Sequence, residues 1–223
     1  MRRNILLFLS VISTQCLANG MQPETSVLLV NESKGEAGMN VINTDNYPSL
    51  LYTKIVDVAG SNKSVRLLVT QPVVRVEPGQ TQRVRFMLQT DKPLLQEELK
   101  RVTFEGIPPK GQGGNELKVT IRQDLPVIIH PAGLAEDLMP WKQLTWRKKG
   151  DQLEVSNPSK YVVRMVASFT ALPSGKGGVL KQTFLLPGAS FTVKLPASND
   201  TQIEFYPASR YGYKGERFVA TIQ

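Results

Sequence analysis

The chain has 223 residues, with 27 basic against 19 acidic side chains, a net charge of +8, one histidine and one cysteine. That length holds one or two domains with cores of ordinary size. A modest basic excess favours acidic partners in general and does not single out nucleic acid. The lone His130 excludes a histidine-rich metal site and argues against a Ser-His-Asp triad.

The N-terminus has the three parts of an export signal. Met1-Arg2-Arg3-Asn4 is charged, Ile5 to Ile12 is apolar, and Ser13 to Gly20 is polar and small, with cleavage expected after Ala18 or Gly20. The apolar run is too short to span a membrane, so residues 1–20 are expected to be removed and the mature chain to enter no bilayer. Removal takes Arg2 and Arg3 with it, and also Cys16, the only cysteine. The mature protein is then left with no disulfide and no thiolate metal site. An exported chain without cysteine relies on its cores alone, which favours two domains of about 90–110 residues over one small stapled domain.

Past Gly20 the chain reads as β-structure almost throughout. Strands are expected at 26–30, 38–43, 50–58, 65–70, 73–76, 83–89 and 101–107, separated by turns such as Glu77-Pro78-Gly79-Gln80. Asp91 to Lys100 is expected to form a helical turn. Pro108 to Gly114 is a glycine-rich loop between strands, without the strand-to-helix setting of a phosphate loop. After His130-Pro131-Ala132-Gly133, a candidate linker, strands are expected at 144–147, 152–156, 161–169, 190–195, 202–206 and 217–222. Turn signals every 8–12 residues, with little helical period, predict β-sandwiches. The fold class is therefore all-β, divided into 21–131 and 132–223.

The most informative stretch is Asn115 to Pro131. Its side chains fall alternately on two faces. One carries Leu117, Val119, Ile121, Gln123, Leu125, Val127 and Ile129; the other carries Glu116, Lys118, Thr120, Arg122, Asp124, Pro126 and Ile128. A helix would mix the two sets. As a strand, Leu117 to Ile129 spans roughly 40 Å, against an ordinary length of about 5–6 residues. Two readings follow: a long half-buried strand of one sandwich, or a strand whose spare apolar row is offered to another chain.

Little else suggests chemistry. Glu97-Glu98 and the Asp151/Glu154 pair sit in polar, turn-like contexts where solvated charges are expected, and nothing points to a glycosidase pair. Tyr206, Arg210, Tyr211, Tyr213, Lys214 and Arg217 mix aromatic and basic side chains, as nucleic-acid surfaces do, but in a sandwich they are expected to form a hairpin with solvated ends. No enzyme activity, no cofactor, no metal and no nucleic-acid partner are expected.

Several motifs, in order, resemble the periplasmic pilus-assembly chaperones of the chaperone–usher pathway. They are Asn43-Thr44-Asp45 with Tyr47-Pro48, Thr70-Gln71-Pro72, Val76-Glu77-Pro78-Gly79, Ile107-Pro108-Pro109, the alternating strand, Ser156 to Tyr161, and Leu186-Pro187-Gly188. The resemblance implies two immunoglobulin-like domains in an L shape, a periplasmic location, and ATP-independent binding, folding and delivery of pilus (fimbrial) subunits to an outer-membrane usher. In that family a strand is lent to a subunit that lacks one. The implied donor residues are Leu117, Val119 and Ile121. Burying three aliphatic side chains contributes about 5–9 kcal/mol before association costs.

The family also grips the subunit's C-terminal carboxylate with basic residues, and here the chain departs from it. The corresponding positions are Ser26 and Pro126. Arg101-Val102-Thr103-Phe104 resembles the Arg-Val-x-Phe segment of the archaic and alternate branches, so the implied anchor is Arg101, with Arg122 as second choice. The implied usher contact is Pro48, Leu50, Thr70, Pro72, Ile107 and Pro109, with Tyr52 departing from the family pattern. A secreted sandwich acting in adhesion or structure is the alternative reading of the same strands.

Overall fold

The computed structural model describes residues 20–109, 120–196 and 199–223. The proposed leader, apart from Gly20, lies outside these residues, as do Leu117 and Val119. Almost all of the regular secondary structure in the described chain is strand. Nine strands come from the first half: β1 (Met21–Pro23), β2 (Leu28–Asn31), β3 (Glu36–Asn43), β4 (Ser49–Asp57), β5 (Arg66–Val69), β6 (Val73–Val76), β7 (Thr81–Gln89), β8 (Glu98–Ile107) and β9 (Arg122–His130). Eight come from the second: β10 (Thr145–Lys149), β11 (Gln152–Ser156), β12 (Val163–Leu172), β13 (Gly177–Val179), β14 (Phe184–Leu185), β15 (Ser190–Lys194), β16 (Gln202–Pro207) and β17 (Phe218–Thr221).

In the first half, a sheet of order β1-β3-β7-β5 faces one of order β2-β9-β8-β4-β6. The alternation of the sequence decides which side chains lie between them. From β8 come Val102 and Phe104, from β7 Val84 and Phe86, and from β9 Leu125, Val127 and Ile129, all in one core. In the second half β10-β11-β15 packs on β13-β12-β16-β17, with β14 also on β12. Trp146 is fully buried there, with its ring 5.9 Å from Phe169 and 5.4 Å from Phe205. Tilted aromatic pairs at such separations are favourable.

Each half is closed by the same device. The buried Asn43 side chain donates to the carbonyls of Tyr47 and Val76 and accepts from the Asp45 N–H. Its backbone carbonyl accepts from Gly79 at 2.8 Å. In the second half the Asn157 side chain donates to Tyr161, Leu185 and Leu186 and accepts from Ser159. Its carbonyl accepts from Gly188, also at 2.8 Å. Gly79 (φ 69) and Gly188 (φ 72) both follow proline and occupy left-handed backbone, which glycine adopts without steric cost.

One expected element is absent. Asp91 to Glu97 forms no helical turn. Pro93 interrupts the run, Leu94 donates its N–H to Glu32 Oε1, and the Glu97 N–H goes to Lys160 of the other half. These long-range partners replace the local bonds that a turn would have made.

Asn43→Ala and Asn157→Ala remove a side-chain donor from two and three carbonyls respectively. Each variant is expected to lose about 2–4 kcal/mol of stability in urea unfolding; a loss below about 1 kcal/mol would remove the latch role.

Candidate functional site

The functional interest centres on β9. On one edge it pairs with β8 along its whole length, from Arg122 opposite Glu105 to Ile129 opposite Glu98. On the other edge β2 pairs only with Val127 to His130, and in parallel. From Arg122 to Pro126 that second edge has no ladder partner among the described residues. The core-facing row also emerges from the sandwich in this direction. Ile129 and Val127 are 0% exposed, Leu125 is half-buried, and Ile121 is 40% exposed. An apolar row that leaves its own core beside an open strand edge is a place for another strand to add. A cleft of about 440 Å³ runs along it, between the 22–27 segment, Gln123 and Leu125 of β9, and Tyr211 and Tyr213 of the second half.

The two proposed anchors differ. Arg101 lies opposite Pro126 across the ladder and so shares its face, which turns towards the second half. Its Nε donates to Asp124 Oδ1 and its Nη2 to the Asp124 carbonyl, both at 2.7 Å. Arg122 is committed to Glu105 at 2.8–2.9 Å and is mostly exposed. Ser26 donates its hydroxyl to the Tyr211 carbonyl at 2.8 Å. Behind it, Gly212 (φ +85) approaches so closely that a Cβ would lie 3.2 Å from Ser26 Oγ and Val27 Cγ2, and 3.5 Å from Arg164 Nη1. Arg164 was not singled out by the sequence. Its Nη1 is buried without a hydrogen-bond partner. Burial, and next the Arg101 charge, push its guanidinium below the ordinary arginine range.

The wall of the cleft is held by Glu97. Its carboxylate is 2.9 Å from His130 Nδ1, accepts from the Val162 N–H at 2.9 Å, and pairs with Arg210 Nη1 at 3.1 Å. His130 Nε2 meets the Leu134 carbonyl at 2.9 Å. Around this cluster Val27, Leu99 and Ile128 pack on Val162, with Phe184 and Leu186 beside them. The expectation that Glu97-Glu98 would be solvated is therefore corrected: they are 3% and 6% exposed. Glu98 accepts from the Asn62 N–H, and burial raises its carboxyl above the usual range although that bond and Lys100 oppose the rise. Arg210, expected at a solvated hairpin end, is likewise corrected to a largely buried ion-pair partner. His130 is structural, as its position at a strand end suggested.

Four of the six usher-contact candidates meet elsewhere. Pro48, Leu50, Ile107 and Pro109 line one apolar hollow of about 240 Å³. Leu50 is opposite Ile107 in the ladder, and each is 41% exposed. Thr70 and Pro72 are exposed at the crossing from β5 to β6, outside that hollow.

Comparison with known proteins is decisive at this point. Residues 20–135 match the N-terminal domain model of the PapD pili and flagellar-assembly chaperones, and residues 140–217 match the C-terminal domain model. The chain belongs to this family. The fimbrial chaperone YhcA of Escherichia coli K12 is 60% identical over 95% of this chain and 94% of its own. The chaperone LpfB of Salmonella typhimurium is 23% identical over 97% and 95%. Among solved structures, the SafA pilin complex with the SafB chaperone of Salmonella enterica matches 92% of this chain and 97% of that chain, with a TM-score of 0.74 at 23% identity. The Pseudomonas aeruginosa chaperone CupB2 gives 0.71 at 19% identity over 90% and 100%. At these identities the structures speak for a shared fold of two β-sandwiches.

In this PapD-type chaperone Glu97→Gln removes the charge that Arg210 and His130 meet. Breaking one partner of a buried pair costs about 3–5 kcal/mol. Calorimetry of the variant is expected to resolve separate transitions for the two halves; one unshifted transition would exclude the coupling role.

Proposed function

We propose that this chaperone acts in the periplasm, where it binds pilus subunits, completes their fold by lending the strand that leads into β9, and delivers them to an outer-membrane usher. The leader is then residues 1–20, the donor domain 21–131 and the second domain 132–223, and the chaperone itself catalyses no reaction. The observation that carries this reading is the open edge of β9 beside an apolar row that grows more exposed towards Ile121. A subunit lacking a strand has unpaired backbone groups and an uncovered core, and such edges aggregate. A lent strand supplies both the ladder and the alternate side chains. Leu117, Val119 and Ile121 are the donor residues in this proposal, Arg101 the anchor of the subunit terminus, and the Leu50–Ile107 hollow the usher contact with Thr70 and Pro72 at its margin.

Two tests separate the parts. Combined Leu117→Thr, Val119→Thr and Ile121→Thr substitution is expected to abolish recovery of a co-purifying subunit from periplasmic extract, while the chaperone itself stays folded. Unchanged recovery would disprove strand donation. Leu50→Asp with Ile107→Asp is expected to leave the chaperone–subunit complex intact and to lower surface fibres at least tenfold. Fibres at the parental level would remove the hollow from the usher contact.

A further inference from the structure

We propose that the outer face of the β3–β7 pair, where it meets the second half, holds a phosphate-group site built on Arg83, Arg85 and Lys34. The site is independent of the open edge of β9 and of what binds there.

A hollow of about 1000 Å³ opens on this face. Lys34, Gly38, Arg83 and Arg85 line one side of it, and Arg210 of the second half lines the other. It shares no lining residue with the cleft along β9 or with the Leu50–Ile107 hollow. Alternation along β7 puts Arg83 and Arg85 on the same face, about 7 Å apart at the backbone. Across the ladder Arg83 is opposite Asn40 and Arg85 is opposite Gly38. The glycine leaves a gap in the face, and Arg83 leans into it. A Cβ on Gly38 would lie 2.8 Å from Arg83 Nη2, 2.9 Å from Nε and 3.0 Å from Cζ. The guanidinium therefore lies flat over the β3 backbone, in the row that Arg85 occupies. Lys34 comes from the turn before β3. That turn is pinned to β7 by the Leu88 N–H, which donates to the Gly35 carbonyl at 2.9 Å.

The acids around the hollow are already matched. Glu36 holds Arg85 Nη2 at 2.8 Å. The buried Glu97 and the exposed Glu136 both face Arg210, at 3.1 and 3.7 Å. Glu32 accepts from the N–H groups of Leu94 and Ala132, and Glu24 accepts from the backbone and side chain of Asn40. The side chains of Arg83 and Lys34 are left with no hydrogen bond or ion pair among the described residues. Glu36 takes only Nη2 of Arg85, so the other N–H groups of that guanidinium are also open to a ligand. Two unmatched cations beside a third call for a doubly charged group. A phosphate monoester carries about −1.5 to −2 at neutral pH, whereas a lone carboxylate carries a single charge. Guanidinium forks also meet phosphate oxygens in pairs.

The test uses the mature protein with two probes. Inorganic phosphate is followed by titration calorimetry, and phosphatidylcholine vesicles containing phosphatidic acid by co-sedimentation. The parent is expected to bind at least one of them. Arg83→Gln is expected to weaken that binding about tenfold or more, the equivalent of one charge-assisted hydrogen bond. Gly38→Ala keeps every charge but displaces the guanidinium, and is expected to weaken binding as well. Gly38 has no positive φ and Arg83 is exposed, so both variants are expected to unfold at the parental temperature. Arg66→Gln removes an equal charge from the same sheet outside the hollow, and is expected to leave binding unchanged. Binding of phosphate without vesicles identifies a soluble phosphate ligand. Vesicle binding that is lost in Arg83→Gln identifies a lipid headgroup, and either result supports the site. Binding of neither probe overturns the proposal. So does undiminished binding by Arg83→Gln or Gly38→Ala, or an equal loss in Arg66→Gln. A glutamate-rich peptide that binds as tightly as phosphate also overturns it, and assigns the face to an acidic polypeptide.

Discussion

A single buried carboxylate ties the two halves of this molecule together. Glu97 receives His130 from its own half, and Val162 and Arg210 from the other. A carboxylate out of water is tolerated only when its oxygens are fully engaged. The geometry of the pair is thus self-enforcing, since any large rotation of one half would strand a charge. The cleft depends on that constraint. Its floor is β9, its far wall is the Ser209–Tyr213 turn of the second half, and the contact of Ser26 with Tyr211 fixes their separation.

Against this rigid frame, β9 is only half used. β8 and the core hold one edge and one face, and β2 covers only the last four residues of the other edge. The part left open is built from the same alternating sequence as the part in the core, so no local propensity distinguishes them. What distinguishes them is the length of β2, which is four residues against nine in β9. A longer β2 would close the edge. The open part of β9 is in this sense a missing stretch of ladder, with Arg101 opposite Pro126 at its end.

The sequence was most informative where geometry is periodic. Alternation from Gln123 to Ile129 gives the correct faces, and most strands lie within a residue or two of their expected bounds. It was least informative for charges. Glu97 looks like any surface acid because its partners lie 33, 65 and 113 residues away, and no local signal carries that information. Arg164 did carry one: a single arginine inside Val162-Val163-Arg164-Met165-Val166 is out of place in a core strand. A cation in an apolar run points to a buried ligand or a buried acid, and only the fold distinguishes between them. The misjudged turn at 91–97 has the same origin, because Leu94 and Glu97 spend their backbone donors on distant acceptors.

The paired asparagine latches bear on how the chain matures. Asn43 clasps Val76 across 33 residues and Asn157 clasps Leu185 across 28. Closing loops of such similar length differs by only about 0.1–0.2 kcal/mol in chain entropy. Neither half is therefore favoured by loop length, and synthesis order decides: the N-terminal loop is made first and closes first. For an interval the Glu97 carboxylate, the Ile128 face and the unpaired edge of β9 stand together in the open. The arrival of the second half covers the first two and leaves the third. A helper of other proteins' folding thus passes through the same exposed state as its clients, and ends it with its own C-terminal domain.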